Sequence, residues 1–116
     1  MAAPRSYPKH FRLRRRADFV RTQLEGRRRH TPHLVFISCA AAGPVSRLGV
    51  TVSTRVGNAV VRNRVKRLLR EVFRSRREEI APPTDLVVIA KPGADTLTYA
   101  RAATEFARGL ELSAGH

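Results

Sequence analysis

The sequence predicts a single α+β domain in which amphipathic helices pack on a small sheet. Three apolar runs of strand length, rich in β-favouring residues, stand among stretches whose apolar residues recur at helical spacing. Glycine and proline punctuate the joints between them. The length of 116 residues and the 42% hydrophobic content allow one modest core, and exclude both a second full domain and a disordered basic tail.

Residues 1–12, with Pro4, Pro8 and scattered charge, lack periodicity and read as a flexible basic arm; residues 13–112 are the domain and 113–116 a loose tail. Phe19, Val20, Gln23 and Leu24 share a register that suggests a short helix over Arg16–Leu24, stopped by Gly26. The cluster Arg27-Arg28-Arg29 then leads through Thr31 and Pro32 into Leu34–Ala40, a continuous apolar run that reads as a strand. After a turn at Ala41–Pro44, Leu48, Val50 and Val52 alternate with Gly49, Thr51 and Ser53, and the two runs pair most simply as a hairpin. Gly57-Asn58 opens a long helix, capped by Asn58 or a neighbour, in which Val61, Val65, Leu68, Leu69, Val72 and Phe73 form one apolar stripe. Pro82-Pro83 stop it, and Asp85–Ala90 is a buried strand ended by Pro92-Gly93. Thr96 or Thr98 caps a last helix with Tyr99, Ala102, Ala103, Phe106 and Leu110 on one face. Cys39, inside the apolar run, reads as a small core residue.

Charge narrows the function. The chain carries 23 Lys+Arg against 9 Asp+Glu, a net +14. Residues 1–77 hold 20 basic and 3 acidic side chains (+17), and residues 78–116 hold 3 and 6 (−3). Such a field opposes compaction and points to a polyanionic partner; a solubilising surface intersperses both signs. Arginine outnumbers lysine 20 to 3, and its planar fork suits phosphate. On a helical wheel, Arg62, Lys66, Arg67, Arg70, Arg74 and Arg77 lie opposite the apolar stripe, with Asn63 among them, Arg64 on the flank and Glu71 the single acid. The like-charged i,i+4 pairs Arg62–Lys66, Lys66–Arg70 and Arg70–Arg74 destabilise the free helix, which favours nucleic-acid binding over a plain solvated face.

Other classes recede. A single cysteine excludes an internal disulfide framework and a Cys-rich zinc site. No run approaches the ~20 apolar residues of a membrane span, and the N-terminus lacks an apolar signal core, so a soluble cytoplasmic protein is expected. A protein nuclease needs clustered carboxylates or a histidine acid/base pair. Asp18, Glu25, Glu71, Asp85 and Asp95 form no such constellation, and His10, His30 and His33 sit in or beside basic, loop-like segments suited to surface or phosphate contact.

The string Arg47–Ser53, then Gly57–Val60, then Arg62-Asn63-Arg64-Val65-Lys66-Arg67-Leu68-Leu69-Arg70-Glu71, closely resembles the signature of the bacterial ribonuclease P protein subunit. Leu13-Arg14-Arg15 and Asp18-Phe19 look like that family's first helix, and Asp85–Ala90 with Leu97–Tyr99 like its last strand and helix. The resemblance implies a two-layer α+β sandwich in the order α-β-β-β-α-β-α: a four-stranded sheet, with its additional strand near Arg27–Thr31, a central basic helix and a left-handed β-α-β crossover. It also implies that the catalyst is an RNA subunit that binds magnesium and cleaves the phosphodiester bond freeing the tRNA 5′ end. The protein alone is then inactive, with no metal or catalytic residue of its own and no DNA or membrane partner. Arg62, Asn63, Arg64, Lys66, Arg67 and Arg70 would dock on the catalytic RNA. A cleft between the sheet and this helix would hold the 5′ leader of precursor tRNA. Phe19 matches a family aromatic lining that cleft, where stacking holds a single strand; read from the residues alone, it is equally a core phenylalanine. Arg14 and Arg15 would support the leader. Two departures thin the stacking: Gln23 stands where many relatives have a second aromatic, and Ile37 where some have Tyr. Hydrogen bonds from Gln23, or packing by Phe36 and Phe11, are possible substitutes. Ala90-Lys91 replaces the family's Ala-Arg and keeps the charge without the fork. The alternatives are a structural RNA-binding protein of the ribosome, with no processing role, and, third, a duplex-DNA module, for which no helix-turn-helix pair is evident.

Overall fold

The computed structural model describes residues 11–112, in the order α1 (Arg16–Glu25), β1 (Arg27–His30), β2 (Leu34–Ala40), β3 (Arg47–Val52), α2 (Ala59–Arg76), β4 (Thr84–Ala90) and α3 (Tyr99–Gly109). This is the expected α-β-β-β-α-β-α order, and the fourth strand falls at the arginine cluster. Residues 1–10, with His10 and most of the arm, and the 113–116 tail lie outside the described residues. Phe11 and Arg12 belong to the folded domain: Arg12 makes a parallel bridge to Leu48, and the Leu13 amide donates to the Leu48 carbonyl (3.0 Å).

The strands form one mixed sheet in the order β1-β2-β4-β3. The hairpin expected between β2 and β3 does not form. β2 pairs antiparallel with β1 and with β4 (Phe36 opposite Val88), and β3 pairs parallel with β4 (Val50 opposite Val88). Parallel neighbours need a long crossover, which α2 supplies. β4 takes the central place because Leu86, Val87 and Val88 are apolar on both faces and are all buried.

Alternation then sorts the core into two clusters. On one face Leu34, Phe36, Leu48, Val52, Leu86 and Val88 meet Val65, Leu69, Val72 and Phe73 of α2 and Ala102 and Phe106 of α3. On the other, Val35, Ile37 and Val87 are joined by Leu13, with Phe19 and Ile89 partly buried. The result is a sandwich of sheet against α2 and α3, with α1 laid over part of the reverse face.

Asn58 caps α2, its Oδ1 accepting the Val61 amide (3.0 Å), and Thr98 caps α3 by accepting from Arg101. α1 ends at Gly26 as expected, but in extended backbone (φ −78°, ψ 157°), not in a left-handed cap. Its expected apolar face is displaced: Leu24 is 81% exposed and Val20 is also exposed, while Thr22 is the residue buried against the sheet. On α3, Ala102 and Phe106 are buried as expected and Tyr99 is exposed; its hydroxyl meets Ser75 Oγ (2.9 Å).

Candidate nucleic-acid interface

α2 positions the arginine-rich face. The apolar stripe is buried on β3 and its neighbours, which turns the remaining arc of the helix outward. No acidic residue occupies the first turn, so the positive helix N-terminus reinforces the side-chain charge. Asn63, Arg64 and Arg67 are exposed, while Arg62, Lys66 and Arg70 are half-buried along one border. The Arg62 Nε donates to the Gly57 carbonyl (3.1 Å), and Arg64 donates to the Asp95 carbonyl. Among the described residues no carboxylate pairs with Arg62, Arg64, Lys66 or Arg67. Further along, Arg74 pairs with Glu71 (2.8 Å) and Arg76 with Glu79 (2.6 Å). The unneutralised charge therefore sits in the first three turns.

The residues expected to hold the leader do not converge. Phe19 lies on the reverse face of the sheet, so close to β3 that a Cβ on Gly49 would fall 2.5 Å from its ring; only glycine permits this seat. Gln23, one turn on, is exposed. Arg14 and Arg15 are exposed beside them and, with Arg12, Arg47 and the Ala42–Val45 loop, line an open concave surface of about 900 Å³. Phe36 is not available: it is 1% exposed on the opposite face, edge-on to Phe106 (centroids 5.1 Å apart, planes at 86°). Phe11 packs on that α2 side too, under the Arg77 guanidinium (3.8 Å to the ring centroid), a cation–π contact. The space between sheet and α2, expected to be a cleft, is filled by Val65, Leu69, Val72 and Phe73, all fully buried. The open concavity lies on the α1 side. Phe19 and α2 nevertheless flank the same edge strand, β3, from its two faces.

The sequence reading missed an ionic knot beneath α1. Asp85, fully buried, accepts from Arg47 Nε (3.0 Å) and a second Arg47 nitrogen (2.9 Å), from Arg21, and from the Ala42 amide (3.4 Å). Arg47 also reaches Asp18 (3.4 Å). Burial alone raises the Asp85 pKa, but Arg47 first, with Ala42 and Arg21, overrides it and holds the carboxyl below its ordinary range. The legible signal was an aspartate opening an otherwise apolar strand in an arginine-rich chain. A second buried carboxylate, Glu105, accepts from Thr31 Oγ1 (2.6 Å), the His33 amide (2.9 Å) and Arg101 (3.2 Å), and lies 2.6 Å from His33 Nδ1. Its burial is likewise outweighed, by Thr31 and His33, and its pKa is lowered. His33 thus serves the packing of α3 on the β1–β2 turn, unlike the exposed His30. Lys91 donates to the Thr31 carbonyl (2.7 Å) at the same joint.

Among the described residues no group of three or more His, Cys, Asp or Glu could hold a metal ion. The two buried carboxylates are engaged by arginine, histidine and threonine, so the donor set does not fit a resident magnesium ion. Among the described residues no helix is long and apolar enough to cross a membrane.

A small α+β domain whose long helix presents arginines and a lysine that no carboxylate among the described residues neutralises has the make-up of a nucleic-acid-binding protein. The family model described as Ribonuclease P matches residues 7–112. The ribonuclease P protein component of Desulfovibrio desulfuricans is 48% identical over 113 residues, covering 94% of this chain and 87% of that protein. That of Geotalea uraniireducens is 38% identical over 106 residues, covering 91% and 93%. Among solved structures, the RNase P protein of Staphylococcus aureus superposes with a TM-score of 0.79 at 31% identity (87% and 93% covered), and that of Thermotoga maritima with 0.77 at 29% (86% and 94%). The chain belongs to the ribonuclease P protein family.

Proposed function

We propose that this chain is the subunit that docks on the catalytic RNA of ribonuclease P and helps it remove the 5′ leader of precursor tRNA. The observation that carries this reading is the α2 face of Arg62, Asn63, Arg64, Lys66, Arg67 and Arg70, on which no carboxylate among the described residues pairs with Arg62, Arg64, Lys66 or Arg67. Such a face releases counterions from a phosphate backbone and binds in a salt-dependent way. The leader runs over the α1 side, where Arg14 and Arg15 line the open concavity and Phe19 lies partly buried on β3 nearby as the aromatic for stacking.

The chemistry belongs to the RNA. Magnesium, held by that RNA, would supply the metal-ion chemistry of phosphodiester hydrolysis; this chain's residues position the substrate and neutralise phosphate. We place the protein in the cytoplasm with its RNA partners. Reconstitution tests the assignment: the purified protein leaves precursor tRNA intact, and adding the cognate RNA restores cleavage at low magnesium. Robust metal-dependent cleavage by RNA-free protein overturns it.

A further inference from the structure

The function proposed above leaves the Arg27–Arg29 cluster unused. These residues form β1, the edge strand of the sheet, and all four side chains from Arg27 to His30 are exposed. The register against β2 sends them to both faces: Arg27 and Arg29 stand opposite Ser38 and Phe36 on the α3 side, and Arg28 and His30 opposite Ile37 and Val35 on the α1 side. Arg27 and Arg28 have no acidic partner among the described residues. Arg29 meets Glu111 (2.7 Å), but both side chains are well exposed (44% and 64%), and such pairs contribute about 0–1 kcal/mol. A groove of about 490 Å³ runs between β1 and the C-terminal end of α3, with Arg27, Arg28 and Arg29 in its wall together with the carboxylates of Glu79, paired with Arg76, and Glu111, paired with Arg29. Arg108 borders the next hollow, beside Arg29 and His30.

Edge strands carry charge to block pairing with other chains, and a lysine or two achieves that. Three consecutive arginines add self-repulsion to a chain already at +14, with the side-chain type that grips phosphate bidentately. β1 and β3 are opposite edges of a four-stranded sheet, so roughly 14 Å of sheet separates this strand from the one on which α2 packs.

We infer that β1 and the groove beside α3 form a second phosphate-backbone surface, which holds an RNA segment distinct from the one on α2. The protein then bridges two RNA segments. This rests on the proposed role as an RNA-docking subunit.

The test is hydroxyl-radical footprinting of the ribonuclease P RNA, transcribed in vitro, with and without precursor tRNA. It compares the full-length protein with R27Q/R28Q/R29Q, R27K/R28K/R29K and R62A/R67A. All three β1 positions are exposed, so each β1 variant should melt like the parent. The glutamine variant is expected to lose protections that persist in R62A/R67A, to bind at least tenfold more weakly and to lower the salt slope by about 2–3; the lysine variant should retain most of the binding. Loss of the same nucleotides by both variant sets, or an unchanged slope, overturns the inference while leaving the docking role intact. No protection by the parent protein overturns both. Unchanged RNA protection with lost retention of a polyglutamate peptide assigns the edge to an acidic protein and also overturns it.

Discussion

Two phenylalanines, Phe36 and Phe19, separate packing from recognition at the scale of single residues. Phe36 is sealed against Phe106 and sits so close to Gly109 that a Cβ there would fall 2.3 Å from its ring. Phe36→Ala should cost about 3–5 kcal/mol of stability and leave leader affinity of the folded fraction unchanged, as read by denaturant titration beside binding. Phe19→Ala should instead weaken binding of leader-bearing precursor more than of mature tRNA; equal losses would assign Phe19 to the core. The sequence did not distinguish these rings, because Leu34, Val35, Phe36 and Ile37 are all buried and a strand covered on both faces shows no alternation. Asp85 is the third residue of consequence. Asp85→Asn removes the buried counter-charge and leaves Arg47 only Asp18 (3.4 Å) and Arg21 only Glu25 (3.8 Å), and should cost about 2–4 kcal/mol, at the lower end of a fully buried pair because both arginines keep these partners and some solvent. The folded-state pKa values of Asp85 and Glu105 are both lowered, so their contribution is present above the unfolded values and is lost as pH falls through the folded ones. Thermal melting from pH 7 to 3 should therefore drop steeply below about pH 4, and less so in a D85N/E105Q variant.

At the scale of elements, α2 was the most legible part of the chain. Its stripe of Val65, Leu69, Val72 and Phe73, its Asn58 cap and its arginine face all follow from 3.6-residue periodicity, a local property. Strand pairing was less legible, because alternation within Arg47–Val52 shows which side chains turn inward but not which strand lies alongside. The neighbour is chosen by a crossover built on the 18-residue helix α2 and by the doubly buried β4, neither of them local to the turn at Ala41–Pro44. α1 was placed correctly and turned wrongly: its few apolar side chains set a weak register, and the Arg21–Asp85 contact and the Phe19 seat on Gly49 decide its orientation. The element-scale prediction concerns α2 on RNA. Arg62→Ala or Arg67→Ala should each reduce the salt slope of assembly by about one, whereas Arg74→Ala, already paired with Glu71, should reduce it less.

For the whole molecule, the governing quantity is the +17 held by residues 1–77, which the +14 net charge understates. Without a polyanion that field opposes the folded state. The melting temperature of the free protein should rise with sulfate or phosphate by more than with chloride at equal ionic strength; identical curves would show simple screening instead of anion binding. The position of β4 bears on how such a chain is made. The strand that joins β2 to β3 is the last to be synthesised, so when Arg76 has left the ribosome the sheet still lacks its middle. At about 5–20 residues per second, roughly 1–3 s pass before Ala90 follows it out. During that interval the arginines of α2 are present without the surface that orders them, close to a large body of ribosomal RNA. Folding of this protein is thus a competition between its own last strand and the nearest phosphate backbone.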